Sequence, residues 1–252
     1  MEHAGKHALV TGGGTGIGKG IAIALAEAGA EVTITGRRAD KLEEVAALNP
    51  RLHALVMDVA EEASVRDGVA QAAASRGPVQ ICIANAGIAE GKPFGDTTLA
   101  DWRRMMSTNL DGVFLTLQAA LATLGPNDTG RMIVISSIAG VRGLKNAIPY
   151  TASKHAVIGL IHGLSEEYMK RPITFNALCP GYVDTDIVRN QLPGLMKRFG
   201  VDEQGAIDAI AKGNRSRNLL AVDETTSALM WLCSDGARSF NGQTVEISGG
   251  QV

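Results

Sequence analysis

The sequence predicts an α/β protein with a doubly wound, seven-stranded parallel sheet and helices on both faces. Short apolar segments rich in β-branched residues alternate with longer helical patterns along all 252 residues, as in chains of β-α-β units. Right-handed crossovers place the connecting helices on both faces of such a sheet. Because no Pro-, Gly- or Ser-rich linker divides the chain, we expect a single domain over residues 1–252.

The predicted strands are short, apolar and bounded by turn residues. They span residues 7–11, 31–35, 52–57, 79–84, 131–136, 173–178 and 243–247. Helical periodicity predicts helices at residues 17–28, 40–48, 61–74, 98–124, 150–170 and 226–233. Residues 182–220 break this alternation, because they are polar and irregular. We expect a long substrate-loop insertion there.

Composition excludes several classes of function. The net charge is −2 and the basic residues are scattered, whereas a nucleic-acid binder usually carries a basic stripe. No run of about 18 apolar residues indicates a membrane span. Three widely spaced cysteines, Cys82, Cys179 and Cys233, match neither a disulfide framework nor a zinc site. We therefore expect a cytoplasmic protein without a metal centre.

A glycine-rich turn follows the first predicted strand, with the sequence TGGGTGIG from Thr11 to Gly18. Ligands of parallel sheets bind beyond the carboxyl ends of the strands, and the following helix would point free N–H groups at a diphosphate. The glycine spacing is G-x-x-x-G-x-G. The alternative is a turn that only lets the strand and helix pack closely. The predicted contacts to a dinucleotide here are Gly12, Thr15, Gly16, Ile17 and Gly18.

Tyr150 and Lys154 lie four residues apart on one face of a predicted helix. A free tyrosine has a pKa near 10, and a close ammonium group lowers it, so the phenol could exchange a proton near neutral pH. Ser137, just past the fifth strand, could hold a carbonyl oxygen beside the phenol. Asn109 lies inside a predicted helix, where asparagine is unfavourable, and this favours a functional role.

These motifs together resemble the short-chain dehydrogenase/reductase family, which has a Rossmann-like fold and binds NAD(P)(H). The resemblance covers nearly the whole chain and includes the Asn-Ala-Gly and Pro-Gly-x-x-x-Thr motifs after the fourth and sixth strands. It implies that Ser137 rather than Ser136 binds the substrate oxygen. It also implies that Asn109 holds a water beside Lys154, and that Lys154 bonds the nicotinamide ribose. The family commonly forms tetramers, so we expect a homotetramer or homodimer.

The same resemblance assigns further cofactor contacts. Asp58 and Val59 would contact the adenine ring, although Asp58 could equally be the N-cap of the next helix. Asn85 would brace the sheet. Val183 and Thr185 would bond the carboxamide of the nicotinamide. The remaining implied contacts are Ala86, Gly87, Pro180 and Gly181.

The second strand ends in Gly36-Arg37-Arg38, with no carboxylate to bond the ribose hydroxyls of NAD. An arginine at this place accommodates the 2′-phosphate of NADP, so Arg37 and Arg38 favour NADP(H), with NAD(H) as the alternative. The family's second basic position is Thr15 here, which weakens the preference. The arginines could also be an exposed charge pair.

We therefore expect an NADP(H)-dependent oxidoreductase that interconverts a ketone and a secondary alcohol. The alternatives are an NAD(H)-dependent dehydrogenase of a small or cyclic alcohol, and a non-catalytic dinucleotide-binding regulatory protein. Cations in the insertion could meet an anionic small-molecule substrate, and this favours a 3-oxoacyl (ACP or CoA) reductase. They are Lys197, Arg198, Lys212, Arg215 and Arg217.

Overall fold

A computed structural model describes residues 1–250. Its sheet has seven parallel strands in the order β3-β2-β1-β4-β5-β6-β7, which confirms the predicted fold class. The strands are β1 His7–Thr11, β2 Glu31–Gly36, β3 Leu52–Val56, β4 Val79–Ala84, β5 Gly130–Ile135, β6 Ile173–Pro180 and β7 Gln243–Ile247. The strand order reverses between β1 and β4. A crevice therefore opens there at the carboxyl ends, where ligands of this architecture bind.

Helices cover both faces of the sheet. They are α1 Gly16–Glu27, α2 Ala39–Ala46, α3 Glu62–Arg76, α4 Leu99–Met106, α5 Gly112–Ala122, α6 Ile148–Glu167, α7 Asp186–Arg189, α8 Leu192–Phe199, α9 Glu203–Ala211 and α10 Val222–Cys233. One buried cluster joins the sheet to α1, α2 and α10. A second joins its other face to α3, α5 and α6. Successive residues of β5 alternate between them, with Ile133 in the first and Val134 in the second.

The predicted helix at residues 98–124 is interrupted. Its first part, α4, begins with a capping box in which Thr98 Oγ1 accepts from the N–H of Asp101 at 3.1 Å and Asp101 Oδ2 accepts from the N–H of Thr98 at 3.0 Å. A π-helical turn, Ser107–Asp111, then separates α4 from α5. Such turns often lie at functional sites, and this one contains the buried Asn109.

The prediction of an irregular segment at residues 182–220 is wrong, since α7, α8 and α9 lie within it. They share a separate apolar cluster of Val188, Leu192, Ala206 and Ile210. Helices this short are marginal by themselves, so packing in the cluster stabilises them. Across residues 1–250, no helix is both long and apolar enough to cross a membrane.

Candidate active site

A cleft of about 820 Å³ lies at the carboxyl ends of the strands. It is lined by the residues that follow β1 to β6, so the fold brings motifs from the whole sequence together. All but two of the predicted site residues line it. The exceptions are Gly18 and Asn109, which lie behind its wall and shape it through their neighbours.

The glycine turn forms one wall of the cleft. Gly12 and Gly16 have φ angles of +66° and +54°, a conformation that favours glycine. Thr15 is the N-cap of α1, but its side chain makes no capping hydrogen bond, and the first turn of α1 holds no acidic residue. The first N–H groups of α1 could therefore bind an anion, which the helix dipole would also favour.

Asn85 braces the ends of β1 and β4. Its Nδ2 donates to the carbonyl oxygens of Thr11 at 2.9 Å and Gly12 at 3.3 Å. The hydroxyl of Thr11 accepts from the N–H groups of Asn85 and Ala86, both at 3.0 Å. Sequence reasoning missed Thr11, whose position at the end of β1 was the available signal. These hydrogen bonds fix the floor of the cleft beside the glycine turn.

Arg37 and Arg38 lie exposed at the end of the cleft that follows β2. Within residues 1–250, neither guanidinium forms an ion pair, whereas the nearby Lys41 is paired with Glu44 at 2.7 Å. Asp58 follows β3 at the same end. Its Oδ1 accepts from the N–H of Ala60 at 3.0 Å, while α3 begins only at Glu62, so the N-cap alternative for Asp58 is wrong.

Tyr150, Lys154 and Ser137 converge in the middle of the cleft. Tyr150 and Lys154 stand one turn apart on α6, and Lys154 Nζ lies 5.7 Å from the centroid of the Tyr150 ring. Ser137 follows β5 and its side chain is hydrogen-bonded to Tyr150. Lys154 Nζ also donates to the carbonyl oxygen of Ile135 at 2.8 Å, which fixes the direction of the amine.

Burial dominates the protonation of this group. It lowers the pKa of Lys154 to about 8, because a desolvated ammonium loses hydration. It raises the pKa of Tyr150, and the hydrogen bond from Ser137 offsets this only in part. The predicted net lowering of the Tyr150 pKa is therefore wrong, because burial outweighs the effect of Lys154, whose amine bonds Ile135 rather than the phenol.

Asn109 ties the loop after β4 to α6. Its Oδ1 accepts from the N–H of Ile88 at 2.9 Å, and its Nδ2 donates to the Ile88 carbonyl at 2.9 Å and to Ser153 Oγ at 3.1 Å. Ser136 donates to the carbonyl oxygen of Lys154 at 3.0 Å. Ser136 therefore holds the α6 backbone, which leaves Ser137 as the serine beside the phenol.

The segment after β6 closes the cleft opposite the glycine turn. Pro180 ends β6, and the N–H of Gly181 donates to Ile247 at 2.7 Å. The buried Val183 pairs with Leu220 in an isolated parallel bridge. The side chain of Thr185 lies 3.3 Å from where a Cβ on Gly16 would stand. The two walls therefore meet across the middle of the cleft.

Comparison with known families agrees with this arrangement. The sequence model of short chain dehydrogenases matches residues 6–195. The chain belongs to the short-chain dehydrogenase family. It is an oxidoreductase that interconverts a ketone and an alcohol.

Relatives of this short-chain dehydrogenase match it end to end. It is 33% identical to gluconate 5-dehydrogenase of Gluconobacter oxydans (strain 621H), over 98% of this chain and 94% of that protein. It is 32% identical to acetoacetyl-CoA reductase of Rhizobium meliloti (strain 1021), over 97% of each. A crystal structure of a variant actinorhodin polyketide ketoreductase with NADPH superposes with a TM-score of 0.93, at 29% identity, over 97% of this chain and 96% of that one.

The cleft of this short-chain dehydrogenase extends beyond Tyr150, between the loop before α6 and the helices after β6. Tyr182 lines this part of the cleft together with Tyr150. The other lining residues are Leu144, Lys145, Ala147, Ile187, Val188, Asn190 and Gln191, which sequence reasoning missed because no motif marks them. None of the predicted substrate-binding cations in the segment at 182–220 lines the cleft. Residues 182–220 therefore line the cleft without a cation, through aliphatic and amide side chains together with Tyr182, Thr185 and the carboxylate of Asp186.

Proposed function

We propose that this oxidoreductase uses NADP(H), with Tyr150, Lys154 and Ser137 as its catalytic residues. The observation that carries the proposal is the convergence of these three side chains in a cleft that has the glycine turn at one wall. Arg37 and Arg38, which form no ion pair within residues 1–250, stand at its far end. A non-catalytic dinucleotide-binding protein would not need this buried proton-transfer group.

The chain fits a dinucleotide on three counts. The uncapped N-terminus of α1 offers N–H groups to a diphosphate. Arg37 and Arg38 offer donors to a 2′-phosphate, and Lys154, Val183 and Thr185 stand beside the expected position of the nicotinamide. When bound, the dinucleotide supplies a hydride to the carbonyl carbon of the substrate or accepts one from the alcohol carbon. The similar ketoreductase structure holds NADPH, which supports the phosphorylated form.

The side chains of this protein supply the proton that the substrate oxygen needs in reduction. In reduction, the Ser137 hydroxyl donates a hydrogen bond to the substrate oxygen, where negative charge develops. Tyr150 then gives its phenolic proton to that oxygen. The Lys154 ammonium stabilises the phenolate that remains, and its burial strengthens this interaction. In oxidation, the same steps run in reverse.

The cofactor choice is tested at Arg37. Arg37→Ala is expected to weaken NADPH binding by about 10- to 100-fold, because a charge-assisted hydrogen bond contributes about 1.5–3 kcal/mol. NADH lacks the 2′-phosphate and should bind as before. The dissociation constants of both are measured by nicotinamide fluorescence. Arg66→Ala, an exposed arginine on α3 paired with Asp67, is the matched control. Equal weakening of NADPH and NADH would remove the preference for NADP(H).

The pH profile follows from Lys154. We expect the kcat of ketone reduction at saturating NADPH to be flat near neutrality and to fall above about pH 8. Because the pKa of Lys154 is lowered to about 8, its ammonium is lost as the pH rises through that value. The phenol keeps its proton in this range, since the pKa of Tyr150 is raised. Initial rates between about pH 6 and 10 test this, and a kcat that rises through pH 8 would contradict it.

For the substrate we propose a 3-oxoacyl thioester, which the acetoacetyl-CoA reductase relative supports. The aliphatic wall at Leu144, Ile187 and Val188 suits an acyl chain. A small polyhydroxy acid is the second candidate, since Asn190 and Gln191 line the same end and one relative is a gluconate 5-dehydrogenase. A panel of both substrate classes, with NADPH and NADH, is assayed at the nicotinamide absorbance. No turnover with any of them would favour a binding protein.

We also propose a homotetramer or homodimer. Large apolar side chains are exposed on α4, α5 and α6, among them Leu99, Trp102, Phe114 and Ile148. Gly159 and Gly163 leave open space on the outer side of α6. A second copy would cover this face and the small residues would permit close packing. Sedimentation equilibrium measures the number of chains.

A further inference from the structure

A buried asparagine lies outside the catalytic group, in the turn after α9. Asn214 is 1% exposed, and its amide makes three hydrogen bonds. Its Oδ1 accepts from the N–H of Tyr182 at 2.9 Å. Its Nδ2 donates to the carbonyl oxygens of Tyr182 and Asn218, both at 2.8 Å. One side chain therefore bonds both backbone groups of Tyr182, as a neighbouring strand would, and the Tyr182 carbonyl oxygen also accepts from the N–H of Leu220 at 2.9 Å.

This contact continues a ladder that holds the segment after β6. The N–H of Gly181 donates to Ile247 on one side of Tyr182, and Val183 pairs with Leu220 on the other. The fit is close, because a Cβ on Gly181 would stand 2.3 Å from Asn214 Oδ1. The amide of Asn214 is thus built into the wall that carries Val183 and Thr185.

The same contact reaches the helices over the substrate end. Asn214 lies three residues after the end of α9, and a Cβ on the preceding Gly213 would clash with the Tyr182 ring. The ring itself packs on the cluster formed by α7, α8 and α9. Movement of α9 would therefore displace the backbone of Tyr182. The amide and the ring together fix where these helices attach to the cleft.

We propose that Asn214 is a positioning residue that sets the backbone of Tyr182, and through it Val183 and Thr185, against the nicotinamide half of the dinucleotide. The inference rests on the proposed function, which assigns that half to this segment. The side chain of Asn214 makes its hydrogen bonds to Tyr182 and Asn218 and none to the residues predicted to hold the adenosine half, namely Arg37, Arg38, Asp58 and Val59. Its effect is therefore confined to one end of the cofactor.

The predicted effect on only the nicotinamide half of the cofactor can be tested by comparing two ligands. Asn214→Ala removes three hydrogen bonds, and we expect NADPH to bind about 10-fold more weakly, equivalent to about 1.4 kcal/mol. Adenosine 2′,5′-bisphosphate, which has no nicotinamide half, should bind the variant and the wild type equally. Both dissociation constants are measured by titration calorimetry on the full chain. Asn218→Ala, an exposed asparagine of the same loop, is the matched control and should change neither.

Asn214→Asp is the second variant, for use if Asn214→Ala lacks a cooperative thermal transition. It keeps an acceptor for the Tyr182 N–H but loses the donor to two carbonyl oxygens, so the same selective loss is expected. Equal weakening of both ligands would show a general structural role and overturn the proposal, as would no change in either. Failure of the wild type to bind NADPH would overturn the proposed function, and is seen before any variant is made.

Discussion

Replacing Tyr150 with phenylalanine is expected to lower kcat for ketone reduction by about 10²- to 10⁴-fold, the usual contribution of a positioned acid. The phenol is the proton donor of the group, and Lys154 Nζ at 5.7 Å from the ring centroid cannot take its place. Phenylalanine keeps the ring and loses only the hydroxyl. NADPH should therefore bind as before. Initial rates and nicotinamide fluorescence measure the two effects.

The control is Tyr168→Phe. Tyr168 lies just after the end of α6, and its ring packs on Phe175 at a centroid distance of 5.5 Å, away from the cleft. That variant should keep near-normal turnover. If Tyr150→Phe also kept it, Tyr150 would not be the acid. If Tyr150→Phe lost NADPH binding as well, its role would be structural.

The strands and the fold class were predictable because they depend on local pattern. Segments such as VQICIA in β4 are too short and too rich in β-branched residues for a helix, and all but one of its residues are buried. Alternation with helices then leaves few topologies. Helix ends were less accurate, since α10 begins four residues before the predicted Thr226. The N–H of Ala221 donates to Glu224 at 2.7 Å, which starts the helix earlier.

The short helices at residues 182–220 were not predictable in this way. Each of α7, α8 and α9 has four to nine residues, too few for periodicity to stand out. Their apolar residues matter only once the three helices share one cluster. The contact of Asn214 with Tyr182 spans 32 residues of sequence, so no local sequence pattern predicts it.

Motif spacing located the catalytic group, but it could not give its electrostatics. Tyr150 and Lys154 at four residues apart imply a shared helical face. Spacing does not show that Lys154 bonds the carbonyl of Ile135, or that burial raises the pKa of Tyr150. The hydrogen bond and the burial both depend on the residues from other parts of the chain that pack against α6. The same is true of Asn109, whose hydrogen-bond partners Ile88 and Ser153 lie 21 and 44 residues away in the sequence.

Gly18→Ala is expected to damage stability and cofactor binding together. A Cβ on Gly18 would stand 2.4 Å from the carbonyl oxygen of Gly12 and 2.5 Å from Asn85 Nδ2. Neither atom is the end of a flexible chain, because Asn85 is held by the bonds that brace β1 to β4. Overpacking of this kind costs about 1–3 kcal/mol, which lowers Tm by about 2–10 °C in a protein of this size.

The glycine turn must open to admit the methyl group, and the N–H groups of α1 then move away from the diphosphate. We therefore expect NADPH to bind about 10-fold more weakly or worse, since about 1.4 kcal/mol of strain is enough for that loss. Gly194→Ala in α8 is the matched control, because nothing lies within 4 Å of its Cβ position. Alanine should stabilise α8 by about 0.5–1 kcal/mol. The Tm of both variants is measured by calorimetry, and their NADPH dissociation constants are measured alongside. If Gly18→Ala melts like the wild type and binds NADPH normally, close packing at Gly18 does not hold the glycine-turn wall of the cleft in place.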